Sequence, residues 1–318
     1  MRFLIYQTKF GFKENAKKLY SFSLSMQAKG VGCTELSVVA IAQKLAIENY
    51  IDLLCWTSFF PVISYTRFIC CPYIMPIRCN FSQTLFLDIE CVPQNASFFD
   101  LDEGMQALRE KKGKRMISWL GLEDEMSVED AYDHRSGIFA EFGKIIAIST
   151  GILSKADTGY EMRVKCFSGD DERQILVDFF DMLNTYYSKP YHCLCGHNIK
   201  EFDIPYICRK AMIHGLELPD ILDVQGKKPR ETNFIDTLEL RKFGDRKNFV
   251  SLDLLCRVMG VQTPKTDISG EQVAEVYRRE KDLARIQEYC DRDVVAVAEV
   301  MLKFMRTGEE IVKTEKVD

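Results

Sequence analysis

The chain has 318 residues, of which 47% are hydrophobic and 28% charged, an ordinary globular composition that excludes a fibrous, low-complexity or intrinsically disordered protein. The net charge of −5 argues against a strongly basic chain that binds nucleic acid by charge alone, but it leaves room for local basic patches. Twelve cysteines are too dilute for a disulfide scaffold, so we expect reduced thiols and a cytoplasmic protein without a membrane anchor.

Residues 1–80 differ from the rest of the chain. They carry nine basic against four acidic residues, whereas residues 81–318 carry 33 against 43. The apolar stretch 53–66 has only 14 residues and contains a proline, so it is short of the roughly 20 that a membrane helix needs. Two interpretations stay open: a small helical extension with a helix over 38–51, or upstream sequence translated ahead of a real start near Met75. The second is favoured because clear caps and turn signals are missing there.

From residue 81 onward the pattern predicts one domain, with strands first and then strands alternating with helices. Short apolar runs predict strands over 84–92, 144–153, 161–167 and 191–195, and a strand or turn over 234–240. Helical spacing predicts a helical insertion over about 98–135, a helix starting at Asp170, helices over 200–214, 251–259 and 282–305, and a further helix with a capping box at Ser269 and Gln272. The sum is an α/β fold, with a mixed five-stranded sheet flanked by helices.

The first candidate site is the pair Asp88 and Glu90 in the first predicted strand. Residues two apart in a strand point to the same side, so both carboxylates leave one face of an otherwise apolar strand. Neighbouring buried acids repel each other and each needs a partner, and a divalent metal ion satisfies both demands. The alternative interpretation is a strand end with two exposed acids.

The second candidate is the segment 196–203, in which a strand ends, a loop turns and a helix begins. Asn198 occupies a loop position from which it can contact a ligand or fix the turn. Asp203 lies in the first turn of the helix, where an acidic residue is also common for purely structural reasons.

The third candidate lies in the last long helix. Residues four apart share a helix face, so Tyr289 and Asp293 lie one turn apart beside the buried stripe. Asp291 is rotated by about 160° from Asp293, and we expect it to be solvated.

In this order, the three motifs resemble the DEDD superfamily of 3′→5′ exonucleases, in its tyrosine-bearing branch. The wording that carries the resemblance is LFLDIE ending at Glu90, GHNIKEFDIPYI beginning at Gly196 and YCDRDVVAV beginning at Tyr289. The chain is similar to the proofreading exonuclease domains of family B DNA polymerases, and to stand-alone bacterial proteins related to them, over about residues 83–306.

The resemblance implies a ribonuclease H-like fold and two divalent metal ions, usually Mg²⁺ or Mn²⁺. Such hard ions prefer oxygen ligands. The implied metal ligands, which are also catalytic residues, are Asp88, Glu90, Asp203 and Asp293. Asp88 would bridge both ions and Tyr289 would orient the attacking water as a fifth catalytic residue. Positions that line the substrate groove are matched by Ile89, Asn198 and Phe202.

The predicted function is a metal-dependent 3′→5′ exonuclease that acts on single-stranded DNA and releases nucleoside 5′-monophosphates. The alternatives are an exoribonuclease or oligonucleotide degrader, because no contact to a 2′-hydroxyl is identified, a non-catalytic nucleic-acid-binding relative and a metal-binding structural protein. Only 25 residues follow Asp293, so we expect no polymerase domain in this chain and a polymerase or repair partner acting in trans.

Two other patterns have simple structural explanations. Cys193, Cys195 and His197 alternate along one strand, but a fourth zinc ligand is missing, so we expect core thiols. The run 109–115 holds five basic residues, and we expect a solvated loop, with a contact to the nucleic-acid backbone as the alternative.

Overall fold

The computed structural model describes residues 79–317, apart from 122–126, 229–230, 246 and 266. Apart from its last two residues, the extension predicted for residues 1–80 lies outside the described residues, as does its predicted helix over 38–51. Within the described part of the chain, none of the helices combines the length and the apolar run that crossing a membrane requires.

The described residues form one mixed sheet of six strands. The strands are β1 (Thr84–Pro93), β2 (Gly143–Ala156), β3 (Gly159–Ser168), β4 (Cys193–Gly196), β5 (Phe234–Asp236) and β6 (Ile311–Lys316). Their order is β5-β4-β1-β2-β3-β6, with β2 antiparallel to both β1 and β3 and the other neighbours parallel. This is the ribonuclease H-like arrangement that the resemblance implies, and the α/β prediction is confirmed.

The prediction of five strands is wrong by one. Strand β6 adds a sixth at the sheet edge beside β3. Five of its six residues are exposed and the sixth is half-buried, so the strand lacks the buried apolar run that identified the others. Charged side chains are common on such edge strands because they discourage pairing with other chains.

Seven helices of six or more residues surround the sheet in the described residues. They are α1 (Glu103–Leu120), α2 (Val128–Arg135), α3 (Glu172–Tyr186), α4 (Asp203–Ile213), α5 (Thr237–Lys242), α6 (Leu252–Met259) and α7 (Leu283–Phe304). The segment 234–240, predicted as a strand or turn, divides into β5 and α5 because Asp236 caps the helix by accepting hydrogen bonds from the N–H groups of Leu238 and Glu239. Gln272 does accept a hydrogen bond from the backbone of Ser269, but only the short helical segment 273–280 follows.

Strand β1 packs on both sides, and its alternation decides where its acids point. Leu85, Leu87 and Ile89 join the core formed with helices α3 and α4. Phe86 joins the core formed with helix α7. Because side chains alternate along a strand, Asp88 and Glu90 share the face of Phe86 and point toward α7.

The predicted insertion is helical, but the basic run within it is not a solvated loop. The run lies in helix α1, and Arg109 is fully buried. Its Nε donates a hydrogen bond to Oγ of Ser136 at 2.8 Å. Its guanidinium carbon lies 5.7 Å from three ring centroids, those of Tyr132, Phe139 and Phe142. The apolar stem and flat cation of arginine suit this aromatic cluster, so Arg109 holds the insertion together.

Replacing Arg109 by alanine is therefore expected to lower the free energy of unfolding by about 3 kcal/mol, since a buried hydrogen bond and the desolvated cation–aromatic interactions disappear together. Denaturation in urea measures the change. The matched control is Arg115→Ala, because Arg115 is exposed on the same helix. A loss as small as that of the control would show that the aromatic cluster does not depend on Arg109.

Candidate active site

Three acidic side chains meet between strand β1 and helix α7. Asp88, Glu90 and Asp293 each offer a carboxylate oxygen, and these oxygens lie within 4.8 Å of one another. Glu90 and Asp293 are buried, whereas Asp88 is half-buried. The alternation of β1 and the position of Asp293 one turn after Tyr289 thus converge on one point.

Asp203 joins this group from the first turn of helix α4. Its Oδ1 accepts a hydrogen bond from the backbone N–H of Ile89 at 3.2 Å, which places it against the strand between the two acids of β1. Asp203 is 3% exposed, and its negative charge raises the pKa of both Asp88 and Glu90. All four predicted carboxylates therefore lie in one acidic cluster, although the 4.8 Å group itself comprises the other three.

The loop that delivers Asp203 is held by a carboxylate that is not among the predicted site residues. Oδ1 of Asp236 accepts hydrogen bonds from the N–H groups of Asn198, Leu238 and Glu239 at 3.0, 2.9 and 3.2 Å. Oδ2 accepts another from the N–H of Lys200 at 3.2 Å. Asp236 is 3% exposed, and it joins the start of helix α5 to the loop between β4 and α4.

The turn at Asn198 has a left-handed backbone. Its φ is 64°, a conformation that asparagine tolerates better than most other residues. The amide of Asn198 is bound by Asp236 while its side chain stays partly exposed. This fits the predicted loop role, and a ligand contact stays a prediction.

The other predicted groove residues lie nearby but differ in exposure. Ile89 is 5% exposed, and its side chain is in the core on the face of β1 opposite the acids, so its backbone rather than its side chain borders the acidic cluster. Phe202 precedes helix α4, is half-buried and packs on Tyr206 with ring centroids 5.6 Å apart. The groove assignment stays a prediction for all three positions.

The clustered acids carry strongly perturbed pKa values. Burial, followed by the negative charges of Asp293 and Asp203, raises the pKa of both Asp88 and Glu90 well above their ordinary values. Burial also raises the pKa of Asp203 and of Asp293 from 3.8 to about 7. Such a cluster strongly favours a bound cation, because a cation relieves both the burial cost and the mutual repulsion.

Sequence reasoning missed one cation beside the cluster. The positive charge of Lys265, an exposed residue, lowers the pKa of both Glu90 and Asp293. A lone lysine in the loop after Pro264 has no motif that could have identified it, because only the fold brings this loop to the acids.

Tyr289 lies beside Asp293 as the helix spacing predicts. Its side chain hydrogen-bonds to the Asp293 carboxylate, and it is 4% exposed. Burial, followed by the nearby carboxylate charges, raises the pKa of the phenol, so Tyr289 stays protonated and can donate a hydrogen bond at neutral pH.

The prediction that Asp291 is solvated is wrong. Asp291 is 6% exposed; its Oδ1 accepts a hydrogen bond from Oγ of Ser149 at 2.6 Å, and its Oδ2 pairs with Nζ of Lys316 at 2.9 Å. Helix α7 contacts strands β1, β2 and β3, so residues on both sides of the Asp293 position meet the sheet. Asp291 therefore anchors the helix that carries Asp293.

The alternating cysteines and histidine do not form a metal site in the described residues. Both ring nitrogens of His197 are used structurally, Nδ1 with Oγ1 of Thr237 and Nε2 with the carbonyl of Val250, each at 2.9 Å. Cys195 is buried, and burial raises the pKa of its thiol. The interpretation as core residues agrees with these contacts.

The donor set of the acidic cluster fits hard divalent cations. Carboxylate oxygens are the ligands that Mg²⁺ and Mn²⁺ prefer, and four of them from three elements surround one point. Neither histidine nor cysteine contributes a ligand atom to the 4.8 Å group, so the donor set does not favour zinc.

Without metal, the protein is expected to lose stability as the pH rises from about 5 to about 8. Asp203 and Asp293 have pKa values of about 7 in the folded state against ordinary values of 3.8. Between these values the folded state binds more protons than the unfolded state, so rising pH favours unfolding. Urea denaturation in EDTA at both pH values measures this, with Asp293→Asn as the matched variant. The account requires a smaller pH dependence in Asp293→Asn than in the wild type, and equal dependence would contradict it.

Comparison with known families gives a match over the larger part of the chain. A family model described as "Predicted 3'-5' exonuclease related to the exonuclease domain of PolB" matches residues 138–317, more than half of the chain. The matched range includes Asp203, Tyr289 and Asp293, whereas Asp88 and Glu90 lie ahead of it on β1. Comparison with individually curated proteins gives no match.

Proposed function

The chain belongs to the family of predicted 3′→5′ exonucleases related to the exonuclease domain of PolB, and we propose that it removes nucleoside 5′-monophosphates from the 3′ end of single-stranded DNA. The observation that carries the proposal is the convergence of Asp88, Glu90, Asp203 and Asp293, from two helices and one strand, with Tyr289 hydrogen-bonded to the last of them. A purely structural ion pair would need a basic partner inside the cluster, and the cation beside it, Lys265, is exposed.

The proposed cofactors are two divalent ions, Mg²⁺ or Mn²⁺, held by these four carboxylates with Asp88 shared between the ions. When bound, such ions supply Lewis-acid stabilisation of the charge that develops at phosphorus and a lowered pKa for the attacking water. The chain itself holds the carboxylates in place through the Ile89 amide, the Asp236 network and the Asp291 anchor. Each of these contacts fixes an element rather than the ligand atom alone.

Tyr289 is proposed to orient the attacking water, because its phenol stays protonated and lies against Asp293. Tyr289→Phe is expected to lower kcat by about ten- to a hundredfold, since one positioned hydrogen bond is lost. Metal affinity should change little, because all four carboxylates remain. Steady-state kinetics and metal titration by calorimetry measure the two quantities. Unchanged turnover would contradict the role of Tyr289.

The choice of DNA over RNA is proposed from the family relationship to a DNA polymerase domain. The competing function is an exoribonuclease or short-oligonucleotide degrader, since the carboxylates contact phosphate rather than sugar. Digestion of a DNA and an RNA of the same sequence, each labelled at the 5′ end, distinguishes the two. A higher kcat/KM for DNA supports the proposal, and a higher value for RNA replaces it with the exoribonuclease function.

A second candidate function, binding without catalysis, predicts loss of at least one essential side chain. All four carboxylates and the tyrosine are present, so this candidate has no supporting observation. We further propose that the chain acts in trans with a polymerase or repair partner, in the cytoplasm. The eight described cysteines are all free thiols, which suits a reducing compartment.

A further inference from the structure

Two phenylalanines project from the protein where helix α5 ends. Phe243 is 84% exposed and Phe249 is 67% exposed. Phe243 has a left-handed backbone with φ of 46°, and Gly244 follows with φ of 89°, so the chain turns outward directly after the helix. Exposed aromatic rings of this size need an explanation, because burial would stabilise the protein more than exposure does.

The flanks of these rings are basic. Residues 239–249 carry four basic and two acidic residues in a chain with a net charge of −5. One acid, Glu239, is paired with Lys200 at 2.6 Å, and the other, Asp245, accepts a hydrogen bond from the backbone of Lys247. Among the described residues, no carboxylate forms an ion pair with Lys242 or Lys247. We name the set Lys242, Phe243, Lys247 and Phe249 the aromatic-basic surface.

The ends of this loop are tied to the acidic site. The carbonyl of Val250 lies 2.9 Å from Nε2 of His197 and accepts its hydrogen bond, and His197 directly precedes Asn198 in the loop that delivers Asp203. Leu238 and Val250 pack together with Ala296 and Val300 of helix α7, the helix that carries Asp293. The aromatic-basic surface is therefore held by both elements that contribute acids from outside the sheet.

Resting on the function proposed above, we propose that the aromatic-basic surface holds the substrate strand on its way to the acidic site. Unpaired bases stack on Phe243 and Phe249, and Lys242 and Lys247 contact the phosphates. Aromatic rings interleaved with cations suit single-stranded nucleic acid, because every base has a face that stacks and every linkage carries a negative charge. The surface also supplies local positive charge that an acidic chain otherwise lacks for a polyanion.

The charge favours nucleic acid over a protein partner. An apolar protein contact would leave Lys242 and Lys247 without counter-charge, whereas a phosphate backbone supplies it. Neighbouring exposed residues on helix α6, Leu254 and Val258, are 51% and 67% exposed and would extend the patch for a protein partner. Variants in these two groups separate the two kinds of partner.

The test measures binding of a fluorescein-labelled single strand of about 12 nucleotides to the full chain by fluorescence anisotropy. The Asp203→Asn background with Mg²⁺ is used so that the strand is not cleaved. Phe243→Ala and Phe249→Ala are each expected to weaken binding by about fivefold to a hundredfold, because each variant removes the ring on which one base stacks. The control is Phe99→Ala, which removes a ring that is 70% exposed in the insertion.

The lysines give an independent measurement. Replacing Lys242 and Lys247 by glutamine should lower the slope of log K against log salt by roughly 0.7 for each phosphate that is no longer neutralised. Lys313→Gln, at an exposed lysine of β6, should leave the slope unchanged. Circular dichroism of each variant verifies the fold, and both rings are too exposed for their removal to open the core.

The outcomes separate this proposal from the proposed catalysis. Weaker binding in the phenylalanine variants but not in Phe99→Ala supports the surface, even when the wild type cleaves no nucleic acid and the catalytic proposal alone fails. Unchanged affinity in the phenylalanine and lysine variants of a chain that cleaves single strands overturns it. Loss of binding in Leu254→Ala and Val258→Ala but not in the phenylalanine variants also overturns it.

Discussion

Asp203→Asn is expected to lower turnover by about a thousandfold or more while the folded protein stays at least as stable as the wild type. The amide keeps an oxygen that can accept the hydrogen bond from the Ile89 N–H, now 3.2 Å away, so the local geometry survives. The substitution removes one negative charge from a cluster that holds cations, and about 4 kcal/mol of transition-state stabilisation corresponds to a thousandfold in rate. Removing a charge from a repelling, buried cluster also relieves strain in the metal-free protein.

The matched comparison is Asp203→Ala. Alanine removes the charge but also the acceptor, which leaves the buried Ile89 N–H without a partner and costs about 1–3 kcal/mol. We therefore expect both variants to be inactive and only the alanine variant to be less stable. Steady-state rates and urea denaturation in EDTA measure the two effects. Wild-type turnover in Asp203→Asn would refute the assignment of the site.

Asp236→Ala is expected to lower both stability and turnover, although Asp236 is outside the acidic cluster. The carboxylate accepts four backbone hydrogen bonds, and its removal releases the loop at Asn198 and the start of helix α5 together. We expect the free energy of unfolding to fall by about 3 kcal/mol, since several part-buried donors lose their acceptor. Turnover should fall about a hundredfold, because a shift of about 1 Å in Asp203 is enough for that.

Asp236→Asn separates the structural role of Asp236 from its charge. The remaining Oδ1 can still accept the hydrogen bonds from Asn198, Leu238 and Glu239, and only the one from Lys200 is lost. The charge of Asp236 raises the pKa of Asp203, so its removal should also shift the acidic limb of the pH–rate profile to lower pH. Equal losses in the alanine and asparagine variants would show that the charge, rather than the hydrogen bonds, matters.

The parts of the site that the sequence could predict rest on regular spacing. Alternation along β1 placed Asp88 and Glu90 on one face, and the spacing of four placed Tyr289 and Asp293 together on α7. These periodicities are local, so they survive in any fold that keeps the strand and the helix. The family resemblance then indicated that the two elements meet, and the fold bears this out.

The parts that could not be predicted depend on contacts between distant segments. Asp291 was expected in solvent because helix geometry alone does not say how many strands cover a helix. Arg109 was expected in a loop because a basic run gives no sign of the aromatic cluster that encloses it. Lys265 and Asp236 were not predicted as site residues, since each acts only where the fold brings its loop to the acids. Strand β6 lacks a buried apolar run, so periodicity did not detect it.

The measurement that tests the central claim most directly is metal-dependent degradation of a 5′-labelled single-stranded DNA by the purified full chain. The account predicts a ladder of products shortened from the 3′ end in Mg²⁺ or Mn²⁺, which disappears in EDTA, returns when the metal is restored and is absent in Asp203→Asn. A folded chain that binds Mn²⁺ at the acidic cluster and gives no ladder on DNA or RNA would contradict it.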